Sequence, residues 1–265
     1  MLEMALEINL KGKVAVVTGS SSGLGRSIAQ FLSQAGASVV INYRKEKDKA
    51  DEVTQEIIQG GGKAICVQAD VSKKEDVKHL FEMADQELGP VDILVNNAGI
   101  DGKRQMCGDD DPDEWERVIS INLLGPYYCA REAVKRMIPK KSGVIINITS
   151  DHEFVPWSGY SAYSSSKAGL SMFTKTLAQE VAENNIRVIS VAPGAIKTPI
   201  NRDVWGNPDS LADLLKKVAM PRLGEVSDIG SVVAFLCSDL ASYVTGITVP
   251  VDGGMLLYPD FKHGG

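Results

Sequence analysis

Short apolar runs alternate with amphipathic stretches along the whole chain of 265 residues. The runs are rich in Val and Ile and show little alternation of polar with apolar residues, which is typical of strands covered by helices on both faces. They predict strands at Val14–Thr18, Ser38–Asn42, Lys63–Gln68, Ile93–Val95, Val144–Thr149, Arg187–Ala192 and Ile247–Val251. Because helical periodicity fills the segments between them, the pattern predicts an α/β fold: a doubly wound parallel sheet of about seven strands with helices on both faces.

One long segment interrupts this rhythm. Residues 195–222 follow the end of a predicted strand and contain Pro199, Gly206, Pro208 and Pro221. Ligands of open α/β sheets bind at the carboxyl ends of strands. We therefore predict a single domain over residues 1–265 with a mobile substrate lid at about 195–222. A plain surface insertion is the alternative.

Composition and charge narrow the class of protein. The chain carries 28 Lys and Arg against 34 Asp and Glu, a net charge of −6, so it lacks the basic excess typical of nucleic-acid binding. Its four cysteines form no CxxC pair, which favours free thiols in a reducing compartment over a disulfide or metal framework. No apolar run approaches the roughly 18–20 residues that span a bilayer. We predict a cytoplasmic protein with neither nucleic-acid nor membrane partners.

The first predicted strand leads into a glycine-rich turn at residues 19–25, and a helix follows. Glycines allow a tight turn and a close approach of the backbone to a pyrophosphate. The N-terminus of the helix adds unpaired N–H groups and the positive end of a dipole. A glycine pattern alone is weak evidence, but the strand before it and the helix after it are the context that a dinucleotide site requires.

Four motifs stand in order along the chain: Thr18-Gly19-x-x-x-Gly23-x-Gly25, Asn96-Asn97-Ala98-Gly99, Tyr163-x-x-x-Lys167 and Pro193-Gly194. Their order and separations resemble those of the short-chain dehydrogenase/reductase family. The resemblance implies a Rossmann-like oxidoreductase that uses NAD or NADP, acts on a small-molecule alcohol or sugar, requires no metal and forms a homotetramer. It implies cofactor contacts from Gly19, Ser21, Ser22, Gly23, Leu24, Gly25, Arg44, Asp70, Val71, Asn97, Ala98, Gly99, Tyr163, Lys167, Pro193, Gly194, Ile196 and Thr198.

The end of the second predicted strand bears on the choice of cofactor. An NAD-selective site usually has Asp or Glu there to hold the ribose 2′-hydroxyl, whereas this chain has Arg44, which suits a 2′-phosphate. Family members that bind NADP often carry a second basic residue at the position of Ser22. We therefore favour NADP and leave dual use of NAD and NADP open. Arg44 could instead be one solvated cation among several lysines.

The catalytic prediction centres on Tyr163 and Lys167, which are four residues apart and therefore share one face of a helix. A nearby ammonium favours the phenolate, so we expect Lys167 to lower the pKa of Tyr163 and let it accept a proton from an alcohol. By resemblance, Ser150, thirteen residues before Tyr163, orients the substrate oxygen, and Asn122 holds a water in a proton relay. Hydride would pass directly between substrate and nicotinamide.

Several further segments look like those of the bacterial glucose 1-dehydrogenases, chiefly residues 150–157, 193–201 and 241–259. This likeness favours oxidation of D-glucose to glucono-1,5-lactone. The residues expected to contact the substrate are Asp101, Ser150, His152, Glu153, Tyr163 and Asn201. For His152, Glu153 and Asp101, a surface or turn-capping role is equally open. Asp151 departs from those dehydrogenases, which usually have an apolar residue there.

Two rival functions remain open. The first is a carbonyl reductase of the same family, such as a 3-oxoacyl-carrier-protein reductase, although the acidic chain gives little support for binding an acidic carrier. The second is a cofactor-binding sensor without catalysis. Such proteins usually lose a catalytic residue, whereas this chain keeps Asn122, Ser150, Tyr163 and Lys167.

Overall fold

Seven parallel strands form the centre of the protein, whose computed structural model describes residues 7–257. The strands are β1 (Val14–Val17), β2 (Ser38–Tyr43), β3 (Lys63–Gln68), β4 (Ile93–Asn96), β5 (Gly143–Ile148), β6 (Ile186–Pro193) and β7 (Thr248–Val251). Each differs from its predicted strand by no more than one residue at either end. The predicted doubly wound α/β fold is therefore confirmed.

Helices cover both faces of the sheet. In chain order they are α1 (Gly23–Gln34), α2 (Lys47–Gln59), α3 (Lys74–Glu87), α4 (Pro112–Ile119), α5 (Gly125–Met137), α6 (Ser161–Val181), α7 (Arg202–Trp205), α8 (Pro208–Lys216) and α9 (Val226–Cys237). A π-helical turn, Ser120–Leu124, joins α4 to α5. Within residues 7–257, no helix is long and apolar enough to cross a bilayer.

Two apolar layers hold the helices on the sheet. On one face, buried side chains of α1, α2 and α9, such as Leu32, Val53 and Val233, pack on the strands. On the other face, α3, α5 and α6 contribute residues such as Phe81 and Met137. The inner strands β1, β2, β4, β5 and β6 are buried on both faces, which explains why their sequences read as continuous apolar runs, whereas the edge strands β3 and β7 are partly exposed.

The strand order β3-β2-β1-β4-β5-β6-β7 reverses between β1 and β4. The loops that follow these two neighbouring strands therefore lead to opposite faces and leave a crevice at their carboxyl ends. The glycine turn after β1 and residues 97–99 after β4 border this crevice. The topology thus determines where a cofactor can bind.

The segment between β6 and α9 leaves the sheet and returns to the same place. Gly224 N–H donates to the Ala195 carbonyl at 2.9 Å, and Lys197 N–H donates to the Gly224 carbonyl at 2.9 Å. Between these pinned ends lie a 3-10 turn, Pro199–Asn201, and the helices α7 and α8. The segment contains more regular structure than its Pro and Gly content suggests, and its action as a lid stays a prediction.

Candidate active site

The glycine turn packs so closely on the neighbouring loop that side chains are excluded. Gly19 has φ +60°, and a Cβ there would lie 2.9 Å from the Cα of Ala98. A Cβ on Gly25 would lie 2.5 Å from both the side-chain nitrogen of Asn97 and the carbonyl oxygen of Gly19. Two of the motif glycines are therefore required by backbone packing as well as by access of a ligand.

Thr18 links the loops on the two sides of the crevice. Its hydroxyl oxygen accepts hydrogen bonds from the backbone N–H groups of Asn97 and Ala98, each at 3.0 Å. In return, the Asn97 side chain donates to the carbonyls of Thr18 at 2.9 Å and Gly19 at 3.0 Å. Asn97 thus lies at the predicted cofactor site, where its amide group braces the glycine turn.

Two polar residues of this scaffold were not among the predicted site residues. Thr18 is one, and the other is Asn42 at the end of β2, which accepts the N–H of Gly19 at 3.0 Å and donates to the Ala69 carbonyl at 3.1 Å. Both side chains are almost fully buried. A polar residue closing an otherwise apolar strand was the available signal, because a buried polar group must find a partner.

The start of α1 fits the pyrophosphate of a dinucleotide. Ser22 is the N-cap but its side chain makes no capping hydrogen bond, and the first turn contains no acidic residue. The first N–H groups of the helix are therefore free to bind an anion. Gly23 has φ +55°, and a Cβ on Gly23 would lie 3.8 Å from the Cδ of Pro199. The predicted residues Ser21, Ser22 and Leu24 lie in this turn.

The ends of β2 and β3 border the expected position of the adenosine half. Arg44 is exposed, and no ion pair found among residues 7–257 includes it. Burial opposes ionisation of Asp70, but hydrogen bonds from Ser72 and the charge of Arg44 hold its pKa below the ordinary value. Val71 is buried and packs on the place where a Gly125 side chain would be. Arg44 is therefore available for a ligand, and its contact with a cofactor stays a prediction.

Asn122 occupies the π-helical turn between α4 and α5 and is fully buried. Its side-chain oxygen accepts the N–H of Ile100 at 2.9 Å, and its amide group donates to the Ile100 carbonyl at 2.8 Å and to Ser166 at 3.2 Å. A Cβ on Gly99 would lie 3.3 Å from this oxygen and 3.5 Å from Nζ of Lys167. Asn122 and Lys167 therefore converge at Gly99, and their shared role in a proton relay stays a prediction.

Tyr163 and Lys167 occupy successive turns near the start of α6, facing the end of β5. The Lys167 ammonium donates to the carbonyl of Ile148 at 2.8 Å and lies 5.6 Å from the ring centroid of Tyr163. Ser150 follows β5 with extended backbone and lies close enough to the Tyr163 hydroxyl to lower the pKa of Tyr163. The fold thus brings the four predicted catalytic side chains to one place.

The electrostatics differ from the prediction at Tyr163. Burial raises the pKa of Tyr163 above its ordinary value, the hydrogen bond with Ser150 lowers it, and the carboxyls of Asp101 and Asp151 raise it. The expectation of a lowered pKa is wrong for the protein groups alone, because desolvation dominates and Lys167 is not among the groups that shift the pKa of Tyr163. Burial also lowers the pKa of Lys167 to about 8, opposed by Asp101 and Glu153. The protein by itself therefore favours the neutral phenol, which is a proton donor.

An aromatic wall stands beside Tyr163. The ring of His152 stacks on Trp157 at 4.5 Å, and Trp157 stacks on Tyr160 at 3.9 Å and meets Tyr163 edge-on at 5.9 Å. His152 Nδ1 lies 3.1 Å from the Val155 carbonyl, so Nδ1 carries the proton in the neutral ring and Nε2 keeps its lone pair. Burial lowers the pKa of His152, which favours this neutral form.

Of the other predicted substrate residues, Asp101 lies at the site and two are engaged in the scaffold. Burial raises the pKa of Asp101, with the charges of Lys167 and His152 opposing it. The Oε1 of Glu153 accepts hydrogen bonds from Ser171 and Thr248, both at 2.8 Å. The side chain of Asn201 accepts from Thr198 N–H at 3.0 Å and donates to the Ile196 carbonyl at 2.9 Å. These bonds occupy Asn201 and the Oε1 of Glu153, whereas the Oε2 of Glu153 is buried without a hydrogen-bond partner among residues 7–257.

The remaining predicted cofactor residues follow β6. Pro193 ends the strand, and Gly194 N–H donates to the Val251 carbonyl at 3.2 Å. Ile196 is buried and forms a parallel bridge with Gly224. Thr198 caps the turn that begins at Pro199, in a reciprocal capping box with Asn201. This stretch forms the side of the crevice opposite α6, where the nicotinamide end of a cofactor would lie.

Comparison with known proteins agrees with this geometry. A family model described as enoyl-(acyl carrier protein) reductase matches residues 19–256. The 3β-hydroxysteroid dehydrogenase 1 of Eggerthella lenta is 46% identical over 260 residues, which cover 97% of this chain and 98% of that protein. The chain belongs to the short-chain dehydrogenase/reductase family. It is an oxidoreductase of that family, and four motifs and their order were sufficient to recognise it.

Two more members extend the comparison. Glucose 1-dehydrogenase 2 of Bacillus subtilis is 41% identical over 252 residues, covering 95% of this chain and 97% of that protein, which confirms the predicted likeness to glucose dehydrogenases. A 7α-hydroxysteroid dehydrogenase solved with NADH and 7-oxo glycochenodeoxycholic acid superposes with a TM-score of 0.89 at 35% identity, covering 94% of this chain and 96% of that one. The relatives thus act on different alcohols, and the family alone does not select a substrate.

The bridging role of Thr18 generates a stability prediction. In Thr18→Ala the N–H groups of Asn97 and Ala98 lose their acceptor, and an unsatisfied buried donor costs about 1–3 kcal/mol. We expect the free energy of unfolding to fall by about 2 kcal/mol in a denaturant titration. Thr18→Ser keeps the hydroxyl and is the matched control. Equal losses in both variants would mean that the methyl group, not the hydrogen bonds, matters.

Proposed function

We propose that the chain interconverts a ring-bound secondary alcohol and its ketone with NADP or NAD, and that a hydroxysteroid is the substrate class that its site fits best. The observation that carries the reaction is the convergence of Ser150 and Tyr163 beside the buried Lys167. The observation that favours the substrate class is the aromatic wall next to Tyr163.

The chemistry follows from these groups. A bound nicotinamide supplies the group that gives or takes hydride. In the direction of reduction, the neutral Tyr163 phenol donates a proton to the substrate oxygen, and Ser150 hydrogen-bonds the same atom. Lys167 keeps a positive charge near the phenol and offsets the negative charge that develops there. In the direction of oxidation the phenolate accepts the alcohol proton, along the same path.

The number of polar side chains left free at the site bears on the class of substrate. Four side chains were expected to bind sugar hydroxyls: Asp101, His152, Glu153 and Asn201. Hydrogen bonds within the protein engage Asn201 and the Oε1 of Glu153, and the Oε2 of Glu153 is buried, which leaves Asp101 and the Nε2 of His152. A site with few free polar groups gains little from a substrate with many hydroxyls. A flat alicyclic ring with one or two oxygens suits it better.

Apolar side chains at the mouth of the site support the same view. The loops at 101–111 and 151–160 are joined by a hydrogen bond from Gln105 N–H to the Gly159 carbonyl at 2.9 Å, and both border Tyr163. They expose Met106, Phe154 and Trp157, which are 52%, 51% and 37% accessible. Exposed apolar groups around a catalytic centre favour an apolar ligand. The 46% identical 3β-hydroxysteroid dehydrogenase 1 is consistent with this choice.

Oxidation of D-glucose is the second candidate. The free groups Asp101 and His152 favour it. The 41% identity with glucose 1-dehydrogenase 2 also favours it. One candidate predicts higher activity with hydroxysteroids than with D-glucose, and the other predicts the reverse. A single assay with both substrates therefore separates them.

For the cofactor we favour NADP, with NAD as a second partner. Arg44 is exposed at the end of β2, where its guanidinium is free to pair with a 2′-phosphate.

For assembly we propose a cytoplasmic homotetramer. Its support is a set of exposed apolar side chains on α5, α6, α9 and the region between α9 and β7, namely Tyr127, Met172, Phe235, Leu240, Tyr243 and Ile247. The four free cysteines are consistent with a reducing compartment.

The substrate prediction is tested with purified protein, NADP or NAD, and matched panels of alcohols and ketones. We expect 3-hydroxysteroids to give a kcat/KM at least about tenfold above that of D-glucose, because one well-formed polar or apolar contact is worth about that factor. The absorbance of the reduced nicotinamide is the readout, and an acetoacetyl thioester is the arm for a carrier-protein reductase. A strong response to D-glucose with none to steroids would reverse the assignment.

Tyr163 is tested by Tyr163→Phe, which removes only the hydroxyl. Loss of a general acid or base lowers turnover by about 10²–10⁴-fold. We expect kcat to fall within or beyond that range while the affinity for reduced cofactor, measured by fluorescence, stays within about twofold. Tyr160→Phe is the control, because Tyr160 contacts Trp157 through its ring and phenylalanine keeps that ring. Turnover that survived in Tyr163→Phe would refute the mechanism.

Cofactor choice is tested by Arg44→Ala. Because a charge-assisted hydrogen bond is worth about 1.5–3 kcal/mol, the affinity for NADPH should fall about tenfold or more, and that for NADH should hardly change. Lys45→Ala is the control for the view that Arg44 is one of several solvated cations. A similar loss in both variants, or equal losses for NADPH and NADH, would show that Arg44 does not recognise the 2′-phosphate.

A further inference from the structure

Asp151 is a buried acid that the chemistry above does not use. It follows Ser150 directly, at the start of the turn after β5. Its side chain is 3% exposed, and neither carboxyl oxygen has a hydrogen-bond partner among residues 7–257. A buried carboxylate without a partner is costly, since desolvation penalises the charge. The residue therefore needs an explanation that packing alone does not supply.

The carboxyl lies under the segment that follows β6. Its Oδ2 is 2.9 Å from the point that a Cβ of Gly194 would occupy, so the missing side chain of Gly194 makes the room for it. Gly194 belongs to the Pro-Gly motif that borders the nicotinamide end of the proposed cofactor site. Asp151 also acts electrostatically on Tyr163, the proton donor on the other side of that site. The acid is thus within the range of a charge placed between Gly194 and Tyr163.

The groups that face Asp151 are mostly negative. Asp252 at the end of β7 is held by the N–H groups of Gly254 and Leu256, both at 2.9 Å, and Glu153 belongs to the same turn. Burial and these two carboxyls raise the pKa of Asp151 to about 7. His152, in the same turn, has a lowered pKa, and the buried Lys167 holds its pKa at about 8. At neutral pH Asp151 is therefore divided between its neutral and charged forms.

We propose that Asp151 is a positioning residue that matches its own charge to the redox state of the nicotinamide cofactor. The neutral acid accompanies the uncharged reduced ring, and the carboxylate accompanies the positive oxidised ring. Replacement of reduced by oxidised cofactor then releases a proton from the Asp151 carboxyl to solvent, so charge and protons balance. This inference rests on the cofactor use proposed above and adds a residue that distinguishes the two forms of the cofactor.

The sign of the pH dependence follows from linkage. If the oxidised ring lowers the pKa of Asp151 by about one unit, the affinity of the protein for the oxidised cofactor must rise as pH rises through that pKa. We expect the affinity for NADP⁺ to increase about fivefold between pH 5.5 and 7.5 relative to that for NADPH, a range that ends below the pKa of Lys167. The ratio of the two affinities cancels titration of the 2′-phosphate, which both forms carry.

Measurements of NADP⁺ and NADPH binding to the whole protein, by calorimetry or fluorescence, test this pH dependence. In Asp151→Asn, which keeps the shape and removes the titration, the ratio of the NADP⁺ and NADPH affinities should vary less than twofold over the same range. In Glu153→Gln the dependence should remain, with its midpoint moved to lower pH, because one neighbouring carboxyl is gone. A full dependence in Asp151→Asn, or none in the wild type, would overturn the proposal.

A second measurement needs no variant. Addition of NADP⁺ to the protein in weak buffer near pH 6.5, with a pH indicator, should release about half a proton per site, and NADPH should release almost none. Equal proton release with both forms would also overturn the role of Asp151. If neither form binds, the cofactor assignment itself fails. Binding of both with the same pH dependence removes only the inference about Asp151.

Discussion

The contact between the end of β1 and the loop after β4 is the constraint on which the rest of the site depends. The strand order reverses between β1 and β4, so the loops that follow these two strands lead to opposite faces of the sheet. Without further contacts, their polar backbone groups would be exposed at the floor of the crevice. The hydroxyl of Thr18 and the amide of Asn97 satisfy that backbone and hold the two loops together. With the floor closed, the glycine turn can pack without side chains, and α1 begins where a phosphate group can meet its free N–H groups.

On the other side of the crevice, burial and nearby charges determine the protonation states of Tyr163 and Lys167. Lys167 is the buried cation, and acids surround it: Asp101 and Glu153 act on it directly, and Asp151 acts on Tyr163. Desolvation keeps Tyr163 protonated and lowers the pKa of Lys167 to about 8, so Lys167 is held near a change of charge state. A site of this kind responds strongly to the charge of whatever binds in it. The cofactor is therefore an electrostatic partner of the catalytic groups as well as a reactant.

The inner strands were predictable because they are buried on both faces and read as continuous apolar runs. The candidate catalytic residues could be proposed because their motifs occur in order. Other features depend on contacts between distant elements that no local pattern reveals. Glu153 is engaged because Ser171 of α6 and Thr248 of β7 meet it, and Asn201 because the chain folds back on Thr198. The direction of the Tyr163 pKa shift needed the depth of burial, which spacing along a helix does not contain.

The pinned base of the segment between β6 and α9 has a consequence for how this protein can change. Because Ala195, Lys197 and Gly224 close the base with their own backbone hydrogen bonds, the sheet does not depend on what lies between them. The entropic cost of a longer excursion between fixed ends grows only slowly with its length. The segment is therefore an exchangeable module. Replacing the stretch that holds α7 and α8 with a different one would give the candidate site a new cover while leaving Ser150, Tyr163 and Lys167 in place.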